Sequence, residues 1–441
     1  MNGSTESRCT IHSPENWERE GKWAFVNAST QPGEAITEAG NYDLAGLLVR
    51  IETAIKRVKA TRVSLDSVGA VFSQFSDHSL VRRELFRITA AMKSSGVTTV
   101  LTAERTEEYG DITRFGVEEF VVDNVIILRN ALEAEKRRRT IEILKFRGTN
   151  HLKGEFPFTV TWGRGLTVLP LSRTVFEPKL SLQTRTTTGN AELDALCGGG
   201  LFRHSIVLLS GATGCGQTLL TSTFAAGVDK QEGSDERALL FAFEESREQL
   251  FRNAAGWGLD FADMERRGKL KVIATNPEIS GLEDHFVRIK QEIEAFQPSR
   301  VAFDSFSALE RVSTPKGYRE FVIGTTSLLR DRELTGMFTS TASNLSFGDS
   351  VTEQHISTIA DTIIVLRYVE MLGEIKRGLT VLKMRGSAHE REIREFAVDS
   401  SGMHIGLPFK NVTGILTGNP RHVEVHEVNR LKGLFHEHAG Q

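Results

Sequence analysis

The stretch SIVLLSGATGCGQTLLTSTFAAG, residues 205–227, decides how this chain of 441 residues is expected to fold. Its first six residues form a short apolar, β-branched run of the kind that makes a buried strand. A glycine-rich loop follows at 211–218, and the residues after the loop are typical of a helix. A strand, a glycine-rich loop and a helix in this order predict a phosphate-binding loop in an α/β fold.

The loop fits the pattern G-x-x-x-x-G-K-[ST] except at one position, where Gln217 replaces lysine. Backbone N–H groups of such a loop bind phosphate oxygens, and the Thr218 hydroxyl is placed to reach Mg²⁺. Glutamine brings no positive charge, so we predict weakened nucleotide binding and strongly reduced phosphoryl transfer. Cys215 lies among the loop N–H groups, an environment that can lower the pKa of a thiol. The predicted nucleotide-binding residues of the loop are Gly211, Thr213, Gly214, Cys215, Gly216, Gln217, Thr218 and Leu219.

Acidic residues follow two further apolar runs. Glu244 and Glu245 come after the run at 238–243, and Asp304 ends the run at 300–304. Ligands of open α/β sheets bind at the carboxyl ends of the strands, where these carboxylates are expected. We predict Glu244 and Glu245 as catalytic residues, and Thr218, Glu244 and Asp304 as the residues that hold Mg²⁺.

The chain contains an internal repeat, which indicates two tandem domains. Three segments recur at a fixed offset of 238 residues (301 − 63, 359 − 121 and 381 − 143): VSLDSVGAVF as VAFDSFSALE, VVDNVIILR as IADTIIVLR, and ILKFRGTNH as VLKMRGSAH. The predicted domains are a partial copy at 1–175 and a complete copy at 186–441. Subtracting 238 from 211 gives −27, so we expect a truncated or degenerate first copy that lacks its phosphate loop and leaves an edge and a face of its sheet open.

Composition excludes several classes of protein. Lys+Arg 54 against Asp+Glu 57 gives a net charge of −3, which does not suit a surface that coats nucleic acid. The basic run at 136–139 is flanked by Glu133 and Glu135 and is interpreted as interface or solvated surface. The chain has no apolar run of about 18 residues and no signal-peptide pattern, so we expect a cytoplasmic protein without membrane contact.

The order of motifs, with LLFAFEES at 239–246, RVAFDSFSAL at 300–309 and LKMRGSAH at 382–389 after the loop, resembles the RecA-like ATPases of the KaiC family. The resemblance covers 186–418 closely and extends to the first copy from about residue 20 to about residue 170. It implies tandem RecA-like P-loop NTPase domains with mainly parallel β-sheets flanked by helices. It also implies a circadian clock ATPase that forms hexameric rings of identical subunits, with ATP and Mg²⁺ between subunits.

Further site residues follow from the resemblance alone. It implies Ser/Thr autokinase activity, with autophosphorylation at Ser357 and Thr358, and a C-terminal tail that contacts a regulatory clock protein. The implied nucleotide contacts are Trp257 and, from the neighbouring subunit, Arg377, Lys383, Met384, Arg385, Gly386, Ser387 and His389.

The sequence departs from the family pattern at Gln217 and at Ala388, where the family usually has an aromatic residue. The alternative interpretation is therefore a non-catalytic nucleotide-binding scaffold, a pseudo-ATPase within a clock-like or signalling ring. Mg-ATP hydrolysis separates the two interpretations. A DNA-bound RecA-type motor is a third class, which salt-dependent DNA binding would reveal.

Overall fold

The chain divides into two compact units, residues 1–169 (unit 1) and 170–441 (unit 2). A computed structural model describes residues 14–27, 45–72, 78–105, 107–110, 112, 121–133, 136–161, 165–169, 184–230, 235–341, 356–371, 373–410, 412–416 and 421–422.

Unit 1 combines helices with two small sheets. Its helices are α1 (Pro14–Arg19), α2 (Ala45–Val58), α3 (Val68–Phe72) and α4 (His78–Ser94). Its strands are β1 (Arg62–Leu65), β2 (Thr98–Leu101), β3 (Asn124–Glu133), β4 (Lys136–Phe146), β5 (Glu155–Thr161) and β6 (Gly165–Val168). Strands β1 and β2 pair in parallel, whereas β3 to β6 form an antiparallel sheet in chain order. Apolar residues of α2 and α4, such as Leu47, Leu85 and Ile88, pack with Phe72 into one small core.

Unit 2 has more elements. Its helices are α5 (Ala191–Leu196), α6 (Gln217–Ala226), α7 (Arg247–Gly256), α8 (Phe261–Arg266), α9 (Leu282–Phe296), α10 (Pro315–Asp331) and α11 (Ile356–Ile359), with 3₁₀ helices at Gly227–Lys230, Pro277–Ile279 and Phe306–Val312. Its strands are β7 (Arg185–Thr186), β8 (Leu201–Phe202), β9 (Ile206–Gly211), β10 (Ala238–Ala242), β11 (Leu270–Ala274), β12 (Arg300–Asp304), β13 (Thr335–Thr341), β14 (Thr362–Met371), β15 (Glu374–Met384), β16 (Arg394–Asp399), β17 (Gly402–Pro408), β18 (Val412–Thr413) and β19 (Arg421–His422).

One large sheet organises unit 2. Among the described residues it contains nine strands in the order β11-β10-β12-β13-β9-β14-β15-β16-β17. The strands from β11 to β14 are parallel, and β14 to β17 are antiparallel. This mainly parallel sheet flanked by helices confirms the predicted fold class.

Both faces of the parallel strands are covered, and this explains why β9 and β10 are apolar and buried at nearly every position. On one face, Leu220 and Phe224 of α6 pack with Leu250 of α7. On the other face, helices α9 and α10 cover the sheet, with Phe321 of α10 in the second core. This burial holds β9, and therefore the loop that follows it, in a fixed position.

The strands and helices of unit 1 recur in unit 2. Strands β3 and β4 return as β14 and β15 at the predicted offset of 238, and even their irregularities in pairing, after Val125 and after Ile363, match (363 − 125 = 238). Across α4 and β2 the offset is 237, because β1 pairs Arg62 with Thr98 whereas β12 pairs Arg300 with Thr335 (335 − 98 = 237). The repeat is thus a repeat of structure, with a one-residue length difference between the two copies.

No helix among the described residues is long and apolar enough to cross a membrane.

Candidate nucleotide site and its neighbouring cation cluster

The predicted phosphate loop lies at the carboxyl edge of the large sheet. It starts at Gly211, the last residue of β9, and ends where α6 begins at Gln217. Strands β10, β12, β13 and β9 are consecutive neighbours in the sheet. Asp304 ends β12, and Glu244 and Glu245 follow β10, so the structure brings the predicted carboxylates to the edge that carries the loop.

The backbone of the loop is shaped for an anion. Gly214 and Gly216 have φ values of 81° and 110°, in the left-handed region that favours glycine. At Gly214 a Cβ would also lie 2.9 Å from the Tyr368 hydroxyl, so a larger residue would clash there. Gly216 is the N-cap of α6 and has no side chain to accept a hydrogen bond from the first turn of that helix. The first-turn N–H groups and the positive end of the helix dipole can therefore serve a phosphate.

The Gln217 side chain is held by the sheet rather than exposed in the loop. It is buried, and its Nε2 donates hydrogen bonds to the carbonyl oxygens of Leu209 at 3.2 Å and Ser340 at 2.8 Å. These carbonyls belong to β9 and β13, which are adjacent strands. The amide therefore ties the start of α6 to two strand ends, a role that the sequence pattern did not indicate.

Asp304 has hydroxyl partners on both sides. Thr339 of β13 donates a hydrogen bond of 2.8 Å to its Oδ1, and Thr218 of α6 hydrogen-bonds the same carboxylate. Burial raises the pKa of Asp304, the two threonine hydroxyls oppose that rise, and the nearby charge of Glu244 adds to it. Asp304 is thus a carboxylate in a partly dehydrated site, where a cation would be a favourable partner.

Glu244 and Glu245 have different surroundings. Glu244 is exposed and forms an ion pair with Arg311. Glu245 is half-buried, and Asn253 of α7 donates a hydrogen bond of 3.2 Å to its Oε2. Burial, followed by the charge of Asp304, raises the pKa of Glu245. A carboxylate whose pKa is raised in this way is suited to accept a proton.

The residues present fit Mg²⁺ bound together with a nucleotide. Among the described residues, no group of three His, Cys, Asp or Glu side chains could hold a metal ion without help from other ligands. Mg²⁺ typically takes one or two protein oxygens and completes its shell with phosphate oxygens and water. Thr218 and Asp304, which hydrogen-bond each other, offer two such oxygens beside the loop.

A second cluster of predicted residues surrounds α11. Lys383 Nζ donates a hydrogen bond of 2.8 Å to the carbonyl oxygen of Ala360, and Arg385 donates one of 2.8 Å to that of Thr358. Arg330 of α10 donates to the carbonyl oxygen of Ile359 at 2.8 Å. Three cationic side chains therefore bind consecutive carbonyls at the C-terminal end of α11, where positive charge is favourable. Burial, then the charge of Arg385, lowers the pKa of Lys383.

The remaining predicted contacts are distributed around the end of β15 and the end of α7. Met384 is buried in the core, and Ser387 Oγ accepts a hydrogen bond of 2.6 Å from Arg185. His389 Nδ1 lies 3.5 Å from the carbonyl oxygen of Ser387. Trp257 is the C-cap of α7 and packs on the core that contains α6. A contact with a bound nucleotide remains a prediction for these residues, and also for Arg377 on β15 and for Gly386.

The loop and the cation cluster lie at opposite ends of β9. Asp361, next to the carbonyls that Lys383 and Arg385 bind, accepts a hydrogen bond of 2.9 Å from the backbone N–H of Ile206, the first residue of β9. The loop starts at the last residue, Gly211. Five residues of strand separate the two ends by about 16 Å. The loop and these two side chains of the same subunit therefore lie towards opposite ends of the strand and do not form one phosphate-binding pocket.

Burial raises the pKa of the Cys215 thiol to about 11, and this outweighs the lowering by the backbone hydrogen bonds that the sequence indicated. The Ser357 side chain and the tail residues 423–441 lie outside the described residues.

Three residues that belong to no recognised motif also contact the site residues: Thr339, Arg311 and Arg330. Their positions depend on which elements are neighbours in the fold, which the sequence alone did not reveal.

Comparison with known proteins extends over both units. The family model for the ATPase KaiC matches residues 12–173 and 186–408. The circadian clock protein KaiC3 of Synechocystis sp. (strain ATCC 27184 / PCC 6803 / Kazusa) is 58% identical over 423 residues, which are 96% of this chain and 83% of that protein. The circadian clock oscillator protein KaiC of Thermosynechococcus vestitus is 51% identical over 413 residues, or 93% of this chain and 78% of that protein. The circadian clock oscillator protein KaiC of Synechococcus elongatus is 50% identical over 415 residues, or 94% of this chain and 79% of that protein.

Proposed function

Because the chain belongs to the KaiC family of ATPases, we propose that unit 2 binds Mg-ATP between identical subunits of a ring. One subunit contributes the loop residues 211–219, Thr218, Glu244 and Asp304 as the residues that hold Mg²⁺, and Glu244 and Glu245 as the catalytic carboxylates. Its neighbour contributes Lys383, Arg385 and the residues around them. The observation that carries this proposal is the separation of about 16 Å along β9 between the loop and the cation cluster.

The geometry of the proposed site gives each group a role. The first-turn N–H groups of α6 would bind the phosphates, and Thr218 and Asp304 would hold Mg²⁺, which would supply positive charge beside the phosphates. Glu245, whose pKa is raised, accepts the proton of the attacking hydroxyl or water. Lys383 and Arg385 of the neighbour supply the positive charge that Gln217 does not.

The proposed phosphate acceptors are Ser357 and Thr358, which makes the protein an autokinase as well as an ATPase. The exposed position of Thr358 on α11, next to the Arg385 contact, supports this assignment because a phosphate there would meet a cation. Similarity to circadian clock proteins supports a role in a clock, within a hexameric ring whose tail at 423–441 binds a regulatory protein. We assign the two domains to residues 1–175 and 186–441.

A subunit-mixing experiment tests the shared site. Thr218→Ala damages the loop side, and the pair Lys383→Met with Arg385→Met damages the cation side. Each variant alone should bind a fluorescent ATP analogue at least tenfold more weakly than the native chain. In an equal mixture, about a quarter of the interfaces (1/2 × 1/2) pair an intact loop with intact cations, since a ring interface is formed by two different surfaces. Recovery of tight binding at about that fraction is expected.

The controls separate folding from assembly. Both variants should keep the native circular dichroism spectrum and melting temperature to within a few degrees. A mixture that binds no better than the two separate variants would show that each site is complete within one subunit, and the proposal would fail. Mass spectrometry after incubation with Mg-ATP tests the kinase assignment, and phosphate confined to residues other than 357 and 358 would contradict it.

A further inference from the structure

Residues 386–390, which include three of the predicted nucleotide contacts, rest on the glycine-rich turn that follows α5. The backbone N–H of Glu390 donates a hydrogen bond of 2.9 Å to the carbonyl oxygen of Leu196. A Cβ at Gly198 would lie 2.9 Å from the carbonyl oxygen of Ala388, so the two segments approach too closely for a larger residue there. This turn therefore fixes the position of residues 386–390.

Arg185 joins the turn to the same segment. Its Nη1 donates hydrogen bonds of 2.8 Å and 2.6 Å to the carbonyl oxygens of Cys197 and Gly200. Its Nη2 donates one of 2.6 Å to Ser387 Oγ, and the guanidinium lies over the ring of Phe202, 4.2 Å from the ring centroid. A planar guanidinium holds acceptors on two segments at once, whereas an ammonium group lacks this rigid fork of donors.

The Ser387 hydroxyl is held from two sides. It accepts the hydrogen bond from Arg185 and donates one of 2.9 Å to the carbonyl oxygen of Ala388. These two bonds fix the side chain of Ser387 and, through it, the backbone that carries residues 387 and 388. The shape of the predicted contact segment thus depends on a cation that lies 202 residues earlier in the chain.

We propose that Arg185 is a positioning residue for the nucleotide that is bound to the loop of the next subunit. It holds residues 386–389 in the shape that contacts this nucleotide, and it acts through Ser387. This inference rests on the proposed function, in which residues 386–389 belong to the cation side of the shared site. Arg185 therefore belongs to the same side as Lys383 and Arg385, although it precedes the phosphate loop in the sequence.

Loss of the guanidinium should weaken nucleotide binding while unit 2 stays folded. Arg185→Met should bind the fluorescent ATP analogue about tenfold more weakly than the native chain, as expected when hydrogen bonds from a charged group are lost. Arg185→Lys keeps the charge but not the fork, so it should lose nearly as much affinity. Circular dichroism and melting temperature report the fold of both variants, and Arg185→Lys carries the test where Arg185→Met does not fold.

Lys230→Met is the matched control for these variants. Lys230 is a cation that donates a hydrogen bond to the carbonyl oxygen of Gly189, in the same stretch of chain as Arg185. Its substitution removes a comparable contact between a cation and the backbone. It should leave the affinity for the analogue unchanged.

Subunit mixing assigns Arg185 to one side of the site. An equal mixture of Arg185→Met with Thr218→Ala should regain tight binding at about a quarter of the interfaces (1/2 × 1/2), because the intact loop of the first variant meets the intact cation side of the second. A mixture of Arg185→Met with the double variant Lys383→Met and Arg385→Met should regain none, because both chains are damaged on the same side.

Several results would overturn the role of Arg185. They are native affinity in Arg185→Met or in Arg185→Lys, recovery of tight binding with the double variant, and recovery with neither mixing partner. The mixture of Thr218→Ala with the double variant is the reference. If this reference does not recover, the shared site is refuted and the inference falls with it. If the reference recovers and any of the other results is found, only the role of Arg185 is refuted.

Discussion

The Nε2 of Gln217 donates a hydrogen bond of 2.8 Å to the backbone carbonyl oxygen of Ser340, which joins the first residue of α6 to a strand that lies 123 residues later in the chain. The same nitrogen contacts the carbonyl oxygen of Leu209. The side chain that replaces the usual lysine therefore stabilises the loop instead of supplying charge. Substitutions at position 217 can therefore test separately the hydrogen bonds that stabilise the loop and the positive charge that a lysine would bring.

The first prediction concerns substitutions of Gln217. Gln217→Lys should raise ATP turnover about tenfold, because a charge-assisted hydrogen bond contributes roughly 1.4 kcal/mol more than a neutral one to the transition state. Gln217→Leu, which removes both hydrogen bonds and adds no charge, should lower the free energy of unfolding by about 1–2 kcal/mol without raising turnover. Steady-state hydrolysis assays and chemical denaturation measure the two effects. Equal turnover in the native chain and the lysine variant would refute the prediction.

The second prediction concerns the stability cost of Glu245. Burial and the charge of Asp304 raise the pKa of Glu245 in the folded state. The folded state therefore loses stability as the pH rises from the ordinary carboxyl pKa through this raised value. Glu245→Gln, which can still accept the hydrogen bond from Asn253, removes this cost. Its melting temperature should exceed that of the native chain at pH 8, and the difference should shrink as the pH falls towards 5, while turnover is lost.

Calorimetry at several pH values between 5 and 8 measures how the melting-temperature difference between Glu245→Gln and the native chain changes with pH. Glu248→Gln is the control, because Glu248 lies in the same cleft, is exposed, and loses the same formal charge. A melting-temperature difference for Glu245→Gln that grows as the pH falls would contradict the assigned pKa direction.

The third prediction concerns Thr339, a positioning residue for Asp304. Its hydroxyl donates a hydrogen bond of 2.8 Å to Oδ1 of that carboxylate. Thr339→Val keeps the shape of the side chain but removes the donor, so Asp304 should hold Mg²⁺ less firmly. We expect the Mg²⁺ concentration for half-maximal nucleotide binding to rise about tenfold, as is typical when a partner of a metal ligand is lost.

Thr326→Val provides the comparison for this third prediction. Thr326 is equally buried, but its hydroxyl bonds the carbonyls of Val322 and Ile323 within α10. Its substitution should leave the Mg²⁺ dependence unchanged. If both variants shift the Mg²⁺ requirement alike, the effect is general destabilisation and the positioning role is refuted.

The sequence predicted features that depend on local pattern or on repetition. The loop at 211–218 and the carboxylate Asp304 were placed at strand ends because apolar runs define the ends of strands. The repeat predicted the matching of β3 and β4 with β14 and β15. The partners of Gln217 and Asp304 were not predicted, because both depend on β13 lying next to β9 and β12. Strand order is set by the packing of the whole sheet, and no short motif encodes it.

The fourth prediction concerns Glu236, which lies between two arginines. Arg300 is 1% exposed, and its Nη2 lies 2.9 Å from Oε2 of Glu236, which also pairs with Arg203. Burial lowers the pKa of Arg300, and the hydrogen bond and charge of Glu236 oppose that effect. Glu236→Ala leaves the buried Arg300 cation without its ion-pair partner, so the free energy of unfolding should fall by about 3–5 kcal/mol. Asp229→Ala removes the partner of Arg267 in an exposed pair, and a much smaller loss of stability is expected there. Urea denaturation of both variants measures the difference, and equal losses would show that the Arg300 guanidinium is satisfied without Glu236.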